Sequence, residues 1–239
     1  MLAECTVRPN ILLYALNANG ALYDYAPSNC TKIEVFTKFP GNFISAVYDE
    51  NRWTIRRLAL PGIVDILLVV VHLLSKWNWN PASQTAECSE LVDIIREEEQ
   101  RVGHARTVLV GDMNMSPFEA GIVNANGLHG TMSRRIAKKR TRTIQQREYP
   151  FFYNPMWNFL GDAGPNPPGT FYYQSAEHNA LFWHMFDQVL IRPDLLDRFN
   201  NTDLRIITTD GATSFLSNSG TPDKNIASDH LPIFFKINL

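Results

Sequence analysis

The sequence has few cysteines, and neither a secretory signal nor a long apolar run is visible in it. Cys5, Cys30 and Cys88 are odd in number, widely spaced and without a Cys-x-x-Cys pair, which argues against a disulfide framework or a structural zinc site. The longest apolar stretch, residues 66–74, is far shorter than the roughly 20 residues that cross a bilayer. The first residues lack the basic region and apolar run of a secretory signal. These features predict a soluble, cytoplasmic protein with no membrane span.

The chain also lacks a surplus of charge of either sign. Its net charge of -2 excludes a uniformly basic nucleic-acid binder, so any anionic partner must be bound by a local group of residues. With 239 residues, 45% of them hydrophobic, the chain is long enough to bury a substantial core. We expect one globular domain over residues 1–239, and the sequence does not indicate its oligomeric state.

The hydrophobic pattern predicts many strands and few helices. Residues 65–72 form a continuous apolar run, which is typical of a strand covered on both faces. Residues 83–102 have the pattern of an amphipathic helix that ends near Gly103. A further apolar strand at 107–110 leads into Gly111. This order favours a layered α/β domain, for which two sheets covered by helices are the simplest arrangement.

Three short polar segments adjoin predicted strands. They are Gly-Asp-Met-Asn at 111–114, Phe-Asp-Gln-Val-Leu at 186–190 and Ser-Asp-His-Leu-Pro at 228–232. Phosphoester hydrolysis needs a cation to neutralise phosphate oxygens, a base to prepare water and a partner that orients the base. The Gly-Asp-Met-Asn segment alone is explained equally well by an ordinary turn, because Gly, Asp and Asn favour strand exits. In the third segment, Ser228 and Asp229 could simply hydrogen-bond their own loop backbone. The joint occurrence of the three segments supplies candidates for every role.

In this order and spacing, the three segments resemble the motifs of the endonuclease/exonuclease/phosphatase superfamily. Residues 69–76, which contain His72, add a fourth match. The resemblance implies a four-layer αββα sandwich, in which two mainly antiparallel sheets are flanked by helices, and dependence on Mg²⁺ or Mn²⁺. It also implies that His72 contacts the scissile phosphate, although the sequence does not identify a partner for this histidine.

The resemblance further implies a role for each residue of the three segments. His230 would be the general base or the histidine that polarises the phosphate, and Asp187 would orient it. Asp229 would be associated with the metal. Asp112 and Asn114 would position the attacking water and the phosphate.

The N-terminal part departs from the superfamily pattern. Members begin with a strand bearing an Asn, then a helix, then a second strand that ends in a metal-binding Glu. We expect the first strand to be missing and residues 1–9 to be the end of the helix. Residues 10–15 would then be the second strand, which leaves Leu16 or Asn17 where the Glu is expected.

A basic segment is one clue to the substrate. Residues 120–147 contain no acid, and their basic residues are Arg134, Arg135, Lys138, Lys139, Arg140, Arg142 and Arg147. The first four are candidate phosphate-binding residues, because Arg and Lys neutralise phosphates without reading sequence. A solvated helix face explains the same charges.

The sequence therefore predicts a divalent-metal-dependent hydrolase of phosphoester bonds, of nuclease or phosphatase type. Nucleic acid is one possible substrate, beside lipid and inositol phosphates. The alternative is a catalytically silent domain of the same fold that binds a phosphorylated ligand or a protein partner. The absent Glu is the feature that favours this alternative.

Overall fold

The computed structural model describes residues 1–174 and 178–239. Its strands, in chain order, are β1 (Leu2–Ala3), β2 (Asp24–Tyr25), β3 (Ile33–Glu34), β4 (Phe36–Thr37), β5 (Ile44–Asp49), β6 (Trp53–Leu58), β7 (Ile66–His72), β8 (Thr107–Asp112), β9 (Gly130–Thr131), β10 (Thr141–Ile144), β11 (Arg147–Pro150), β12 (Phe152–Tyr153), β13 (Phe171–Tyr172), β14 (Trp183–His184), β15 (Asp187–Ile191), β16 (Arg205–Ile206) and β17 (Ile233–Phe234). Its α-helices are α1 (Pro9–Asn17), α2 (Pro81–Val102), α3 (Ala120–Val123) and α4 (Arg134–Ala137). Short 3₁₀ helices span Gly41–Phe43, Pro155–Phe159, Pro193–Arg198 and Asn201–Asp203.

A seven-stranded mixed sheet is the largest element, with the strand order β5-β6-β7-β8-β15-β12-β9. Strands β7 and β8 are parallel, as are β12 and β9, and the other neighbours in the sheet are antiparallel. The parallel pair β7 and β8 lies near the centre. Since α2 connects these two strands, they form a βαβ unit that brings the ends of both strands to one edge of the sheet.

Both faces of the central strand β7 are buried, as its continuous apolar run predicts. Leu67, Val69 and Val71 pack in one cluster with Leu91 and Ile95 of α2. On the opposite face, alternate residues of β7 pack in a second cluster with residues of β3, β16 and β17. The alternation follows from the two-residue period of a strand.

The long helix α2 begins and ends at clear capping residues. The side chain of Asn80 accepts a hydrogen bond from Ser83 N at 2.9 Å, and Pro81 occupies the first turn. Gly103 ends the helix with φ 75°, a left-handed conformation that glycine adopts without strain. The predicted helix and its end near Gly103 are confirmed.

The second sheet is found only as short pairings. Strands β1 and β3, β2 and β4, and β16 and β17 each form a two-stranded pair, and among the described residues these pairs do not join into one sheet. The mixed α/β class with a large sheet and few helices is confirmed. The four-layer sandwich of two mainly antiparallel sheets is not confirmed and stays a prediction.

The N-terminal prediction is wrong in its secondary structure. Residues 10–15 lie within helix α1 and do not form a strand. Pro9 occupies the first turn, where its missing N–H has no cost, and the helix packs none of its side chains into a core. The short strand before α1 is β1, which pairs with β3.

No helix among the described residues is long and apolar enough to cross a membrane.

Candidate active site

Three of the predicted site residues lie side by side at one edge of the large sheet. His72 at the end of β7 is in register with Asp112 at the end of β8, and Asp112 is in register with Asp187 at the start of β15. The parallel pairing of β7 with β8 and the antiparallel pairing of β8 with β15 bring these ends together. Three separate segments of the sequence thus form one row.

Gly111 allows β8 to approach β7 just before this row. Its φ is 140°, and a Cβ atom on it would lie 2.1 Å from the carbonyl oxygen of Val71. Any other residue would push the two strands apart at the position next to His72 and Asp112. The glycine of the Gly-Asp-Met-Asn segment therefore has a steric function.

Asp112 and Asn114 form a tight, buried turn. Asp112 Oδ1 accepts a hydrogen bond from Asn114 N at 2.8 Å, and Asp112 Oδ2 accepts one from Asn114 Nδ2 at 3.1 Å. The same Nδ2 also donates to the carbonyl oxygen of Leu73 at 3.0 Å. Both hydrogens of the Asn114 amide are thereby used, and its Oδ1 receives no hydrogen bond from the described residues. This oxygen is left to accept from water or to bind a cation.

His230 and Asp187 form the second pair of the site. His230 Nδ1 lies 2.8 Å from Asp187 Oδ2, and the imidazole packs beside the ring of Phe171 with centroids 4.8 Å apart. Thr170 fixes both partners, because its Oγ1 accepts from Asp187 N and its carbonyl oxygen accepts from Leu231 N. The hydrogen bond at Nδ1 leaves Nε2 of His230 to face a substrate.

Glu4 also lies in the site, and the sequence interpretation missed it. Its Oε1 is 3.7 Å from His72 Nε2, while Asp112 Oδ2 is 3.5 Å from the same nitrogen. Glu4 follows β1, and its N–H donates to the carbonyl oxygen of Lys32 at 3.0 Å. Glu4 is thus an acid that directly follows a short strand, β1, and precedes a helix, α1. The signal in the sequence was Leu2-Ala3-Glu4, a brief apolar strand ending in an acid before Pro9.

The electrostatics of the site are dominated by burial and by clustered carboxylates. Burial, and after it the charge of Asp187, raises the pKa of Asp112 to about 7. Burial lowers the pKa of His72, so its imidazole is neutral at pH 7. Burial alone would lower the pKa of His230 as well, but the hydrogen bond and charge of Asp187 raise it to about 9.

The carboxylates fit a hydrated divalent cation better than a metal held by protein ligands alone. Among residues 1–174 and 178–239, no three His, Cys, Asp or Glu side chains form a ready-made metal cluster. Mg²⁺, however, usually keeps several waters and binds one or two carboxylates. Glu4 and Asp112 face the same nitrogen of His72, and burial first, then the charge of Asp187, disfavours the ionised form of Asp112. A cation at this position would stabilise that ionised form.

Asp229 is exposed beside His230. Its Oδ1 is 3.5 Å from Ser228 Oγ, and its charge is among those that raise the pKa of His230. The structure thus brings together His72, Asp112, Asn114, Asp187 and His230. Asp229 is next to His230 in the chain with its side chain exposed, and the roles assigned to the six residues stay predictions.

The basic residues lie elsewhere. The guanidinium of Arg134 stands over the ring of Tyr153 and donates to the carbonyl oxygens of Leu196 and Phe199. Tyr153 pairs with Ile191, at the end of β15 opposite to Asp187 and roughly 13 Å along the strand from it.

The other three candidates for phosphate binding are exposed. Lys138 forms an ion pair with Asp197 at 2.7 Å, whereas Arg135 and Lys139 have no ion pair with a described residue. The four residues therefore do not line the catalytic row, and a role for them in holding the scissile phosphate has no support from their position.

Comparison with solved structures identifies the fold. Truncated TDP2 from Caenorhabditis elegans matches with a TM-score of 0.52 and 15% identity over 98% of this chain and 83% of that chain. The catalytic domain of human Nocturnin, with a bound sulfate anion, matches with a TM-score of 0.52 and 13% identity over 98% of this chain and 79% of that chain. TDP2 from D. rerio, complexed with a single-strand DNA product, gives a TM-score of 0.51 and 14% identity over 98% and 83%.

No protein-family model and no curated protein sequence matches the chain significantly. At 13–15% identity the structural likeness establishes architecture and not substrate. The chain has the fold of the endonuclease/exonuclease/phosphatase superfamily, as the order of its motifs predicts.

Proposed function

We propose that the protein is a divalent-metal-dependent hydrolase of phosphoester bonds, of nuclease or phosphatase type, that uses Mg²⁺ or Mn²⁺. The observation that carries this proposal is the convergence of Glu4, Asp112 and the Asp187–His230 pair on one edge of the sheet. A structural role for these residues would not require three partly or fully buried ionisable groups, Asp112, Asp187 and His230, at a single sheet edge with a further carboxylate beside them.

Glu4 would hold the cation, with Asp112 and Asp229 nearby as further oxygen donors. When bound, the cation would neutralise phosphate oxygens. With Glu4 in this role, the N-terminal part would supply an acid to the site, which argues against a silent domain.

Asp112 and Asn114 would hold the attacking water. Asp112 is fixed by two hydrogen bonds from Asn114, and the free Oδ1 of Asn114 is an acceptor for a water proton. Water held by this turn would be beside the neutral imidazole of His72, since Asp112 Oδ2 is 3.5 Å from its Nε2, and His72 would contact the phosphate. The arrangement supports in-line attack by an oriented water.

The pair formed by His230 and Asp187 supports the phosphate-polarising role for the histidine. With a pKa of about 9, His230 is protonated at pH 7 and donates a proton from Nε2. An imidazolium stabilises a developing negative charge on phosphate, whereas a general base needs a free lone pair.

The substrate proposed is a nucleic acid or another phosphoester. The D. rerio TDP2 structure contains a single-strand DNA product, so single-stranded DNA is the first substrate to test. We also propose that the short strand pairs form the second sheet of a four-layer αββα sandwich.

The silent-domain alternative has one observation in its favour, which is that the described residues contain no ready-made three-ligand cluster. The deciding experiment incubates purified protein with Mg²⁺ or Mn²⁺ and measures hydrolysis of bis-p-nitrophenyl phosphate and of single-stranded DNA. His230→Ala should abolish turnover, and His178→Ala, a change at an exposed histidine, should not. Turnover that is equal in wild type and His230→Ala would contradict the site assignment.

A further inference from the structure

One buried carboxamide joins the two loops that leave the catalytic edge of the sheet. Gln84, in the first turn of α2, donates from Nε2 to the carbonyl oxygen of Leu74 at 2.7 Å and to that of Asn114 at 3.0 Å. Leu74 follows His72 by two residues, and Asn114 follows Asp112 by two residues. Gln84 therefore spans the exits of β7 and β8 directly behind the site.

The next peptide of the turn is held in the same way from the other side. Gln188 of β15 donates from Nε2 to the carbonyl oxygen of Met115 at 2.5 Å, and its Oε1 accepts from Asn154 Nδ2 at 2.7 Å. Gln84 and Gln188 are both fully buried. Two glutamines from different elements thus hold consecutive carbonyl groups of the Asn114 turn.

This turn needs external support because of its backbone conformation. Asn114 has φ 50°, in the left-handed region that non-glycine residues rarely adopt. Its N–H is bound by Asp112, and its carbonyl oxygen is bound by Gln84. Without the second bond, the peptide after Asn114 can rotate, and the backbone that positions the Asn114 side chain beside Asp112 is less well held.

The burial of Gln84 has a cost in free energy, and packing alone does not explain why a glutamine is present there. Its Oε1 is buried, and no donor among the described residues reaches it. A buried polar atom without a partner is unfavourable, and an apolar side chain of similar size would avoid that cost at this atom. A glutamine at this position is best explained by its two donated hydrogen bonds.

We propose that Gln84 is a positioning residue that locks the Asn114 turn to the exit of β7 and thereby fixes Asn114 relative to His72 for the reaction. The catalytic consequence of this locking rests on the proposed function. The mechanical part, the locking of the turn, stands on the hydrogen bonds alone. Gln84 does not touch the substrate, so its loss should affect the chemical step and leave binding intact.

The test uses Gln84→Met and Gln84→Leu, which keep the side chain close in size and remove the donors. Gln100→Met is the matched control, since Gln100 is exposed on the same helix. Hydrogen–deuterium exchange of the amides of Asn114 and Ser116 measures the locking of the turn. Steady-state hydrolysis of bis-p-nitrophenyl phosphate with Mn²⁺ measures the consequence, and thermal unfolding monitors the fold.

We expect both Gln84 variants to fold, to exchange the two amides at least ten times faster than wild type, and to lose 10- to 100-fold in kcat, with KM changed less than twofold. Gln100→Met should match wild type in all three. Unchanged exchange in both variants would overturn the proposal, as would faster exchange with an unchanged kcat. Loss of folding in both variants would make Gln84 a structural residue and also overturn it. If the wild type has no turnover, the proposed function fails, and the exchange rates still decide whether Gln84 locks the turn.

Discussion

Glu4 Oε1 lies 3.7 Å from Nε2 of His72, although the two residues are far apart in the sequence. The contact depends on β1, whose two residues pair with β3 and deliver the chain to the edge of the large sheet. Glu4 itself has φ 49°, so the backbone turns sharply after the strand. An acid that the sequence interpretation considered absent is therefore present in the site.

We predict that Glu4→Gln weakens the binding of Mg²⁺ and Mn²⁺ by about 10- to 100-fold, because a neutral amide replaces an anionic ligand. Calorimetric titration of each ion into purified protein measures the effect. Glu97→Gln, a change of an exposed acid on α2, serves as the control and should bind like wild type. Equal affinity in Glu4→Gln and wild type would exclude Glu4 as a ligand.

The pair formed by Asp187 and His230 leads to a prediction about rate. Asp187→Asn removes the charge that holds His230 protonated and oriented, so kcat should fall by about 10²- to 10⁴-fold. The assay is hydrolysis of bis-p-nitrophenyl phosphate at pH 7 with saturating Mn²⁺. Asp197→Asn is a suitable control because Asp197 is exposed and pairs with Lys138 outside the site. A decrease of less than threefold in Asp187→Asn would show that the pair is structural.

Long periodic segments of the fold could be predicted from the sequence, and short ones could not. The limits expected for α2 and for β7 differ from the observed ones by at most two residues, because α2 repeats a clear helical period and β7 is one continuous apolar run. Residues 10–15 were interpreted as a strand and are helical. An apolar run of this length does not distinguish the two states, and no core packing of α1 was available to decide.

The same difference between long and short elements explains which site residues could be predicted from the sequence. Asp112, Asp187 and His230 follow or begin recognisable strands, so their positions could be inferred from motif order. Glu4 follows a strand of two residues, which has no period to detect, and its approach to His72 depends on a pairing with β3 that the sequence does not signal. Gln84 is on a predicted helix, but its contact with Asn114 arises only from the packing of α2 against the sheet.

A buried ion pair behind the sheet should determine stability. Arg192 is completely buried, donates to both carboxylate oxygens of Glu99 and stacks on the ring of Phe152 at 3.8 Å. Arg192→Met leaves the Glu99 charge buried without its partner, and we expect a loss of about 3–5 kcal/mol in the free energy of unfolding. Urea denaturation measures this loss.

The double variant Glu99→Gln with Arg192→Met tests the reason for that loss. It should be more stable than Arg192→Met alone, because it removes the unpaired charge. Equal stability of the double and single variants would show that the loss comes from packing of the arginine and not from the orphaned carboxylate.

The last prediction concerns acid stability and Asp65, the residue before β7. Arg106 Nη2 lies 2.6 Å from Asp65 Oδ1, and Arg57 Nε lies 2.8 Å from Oδ2. Burial alone would raise the pKa of Asp65, but these hydrogen bonds outweigh it and lower the pKa to about 2. The unfolded-state pKa of an Asp is about 3.9, so the folded protein binds the proton less readily than the unfolded chain.

A depressed folded-state pKa contributes stability that is complete above the unfolded value and disappears as the pH falls toward the folded value. Asp65 should therefore stabilise the fold at pH 5 and above, and this contribution should be lost between about pH 4 and pH 2. We expect Asp65→Asn to lower the melting temperature at pH 7 and to flatten its decline in that acid window. Asp162→Asn, at an exposed aspartate, should follow the wild-type curve. The measurement is the calorimetric melting temperature from pH 2 to pH 7. If it declines in parallel for Asp65→Asn and wild type, the hydrogen bonds of Asp65 with the two arginines do not contribute to acid unfolding.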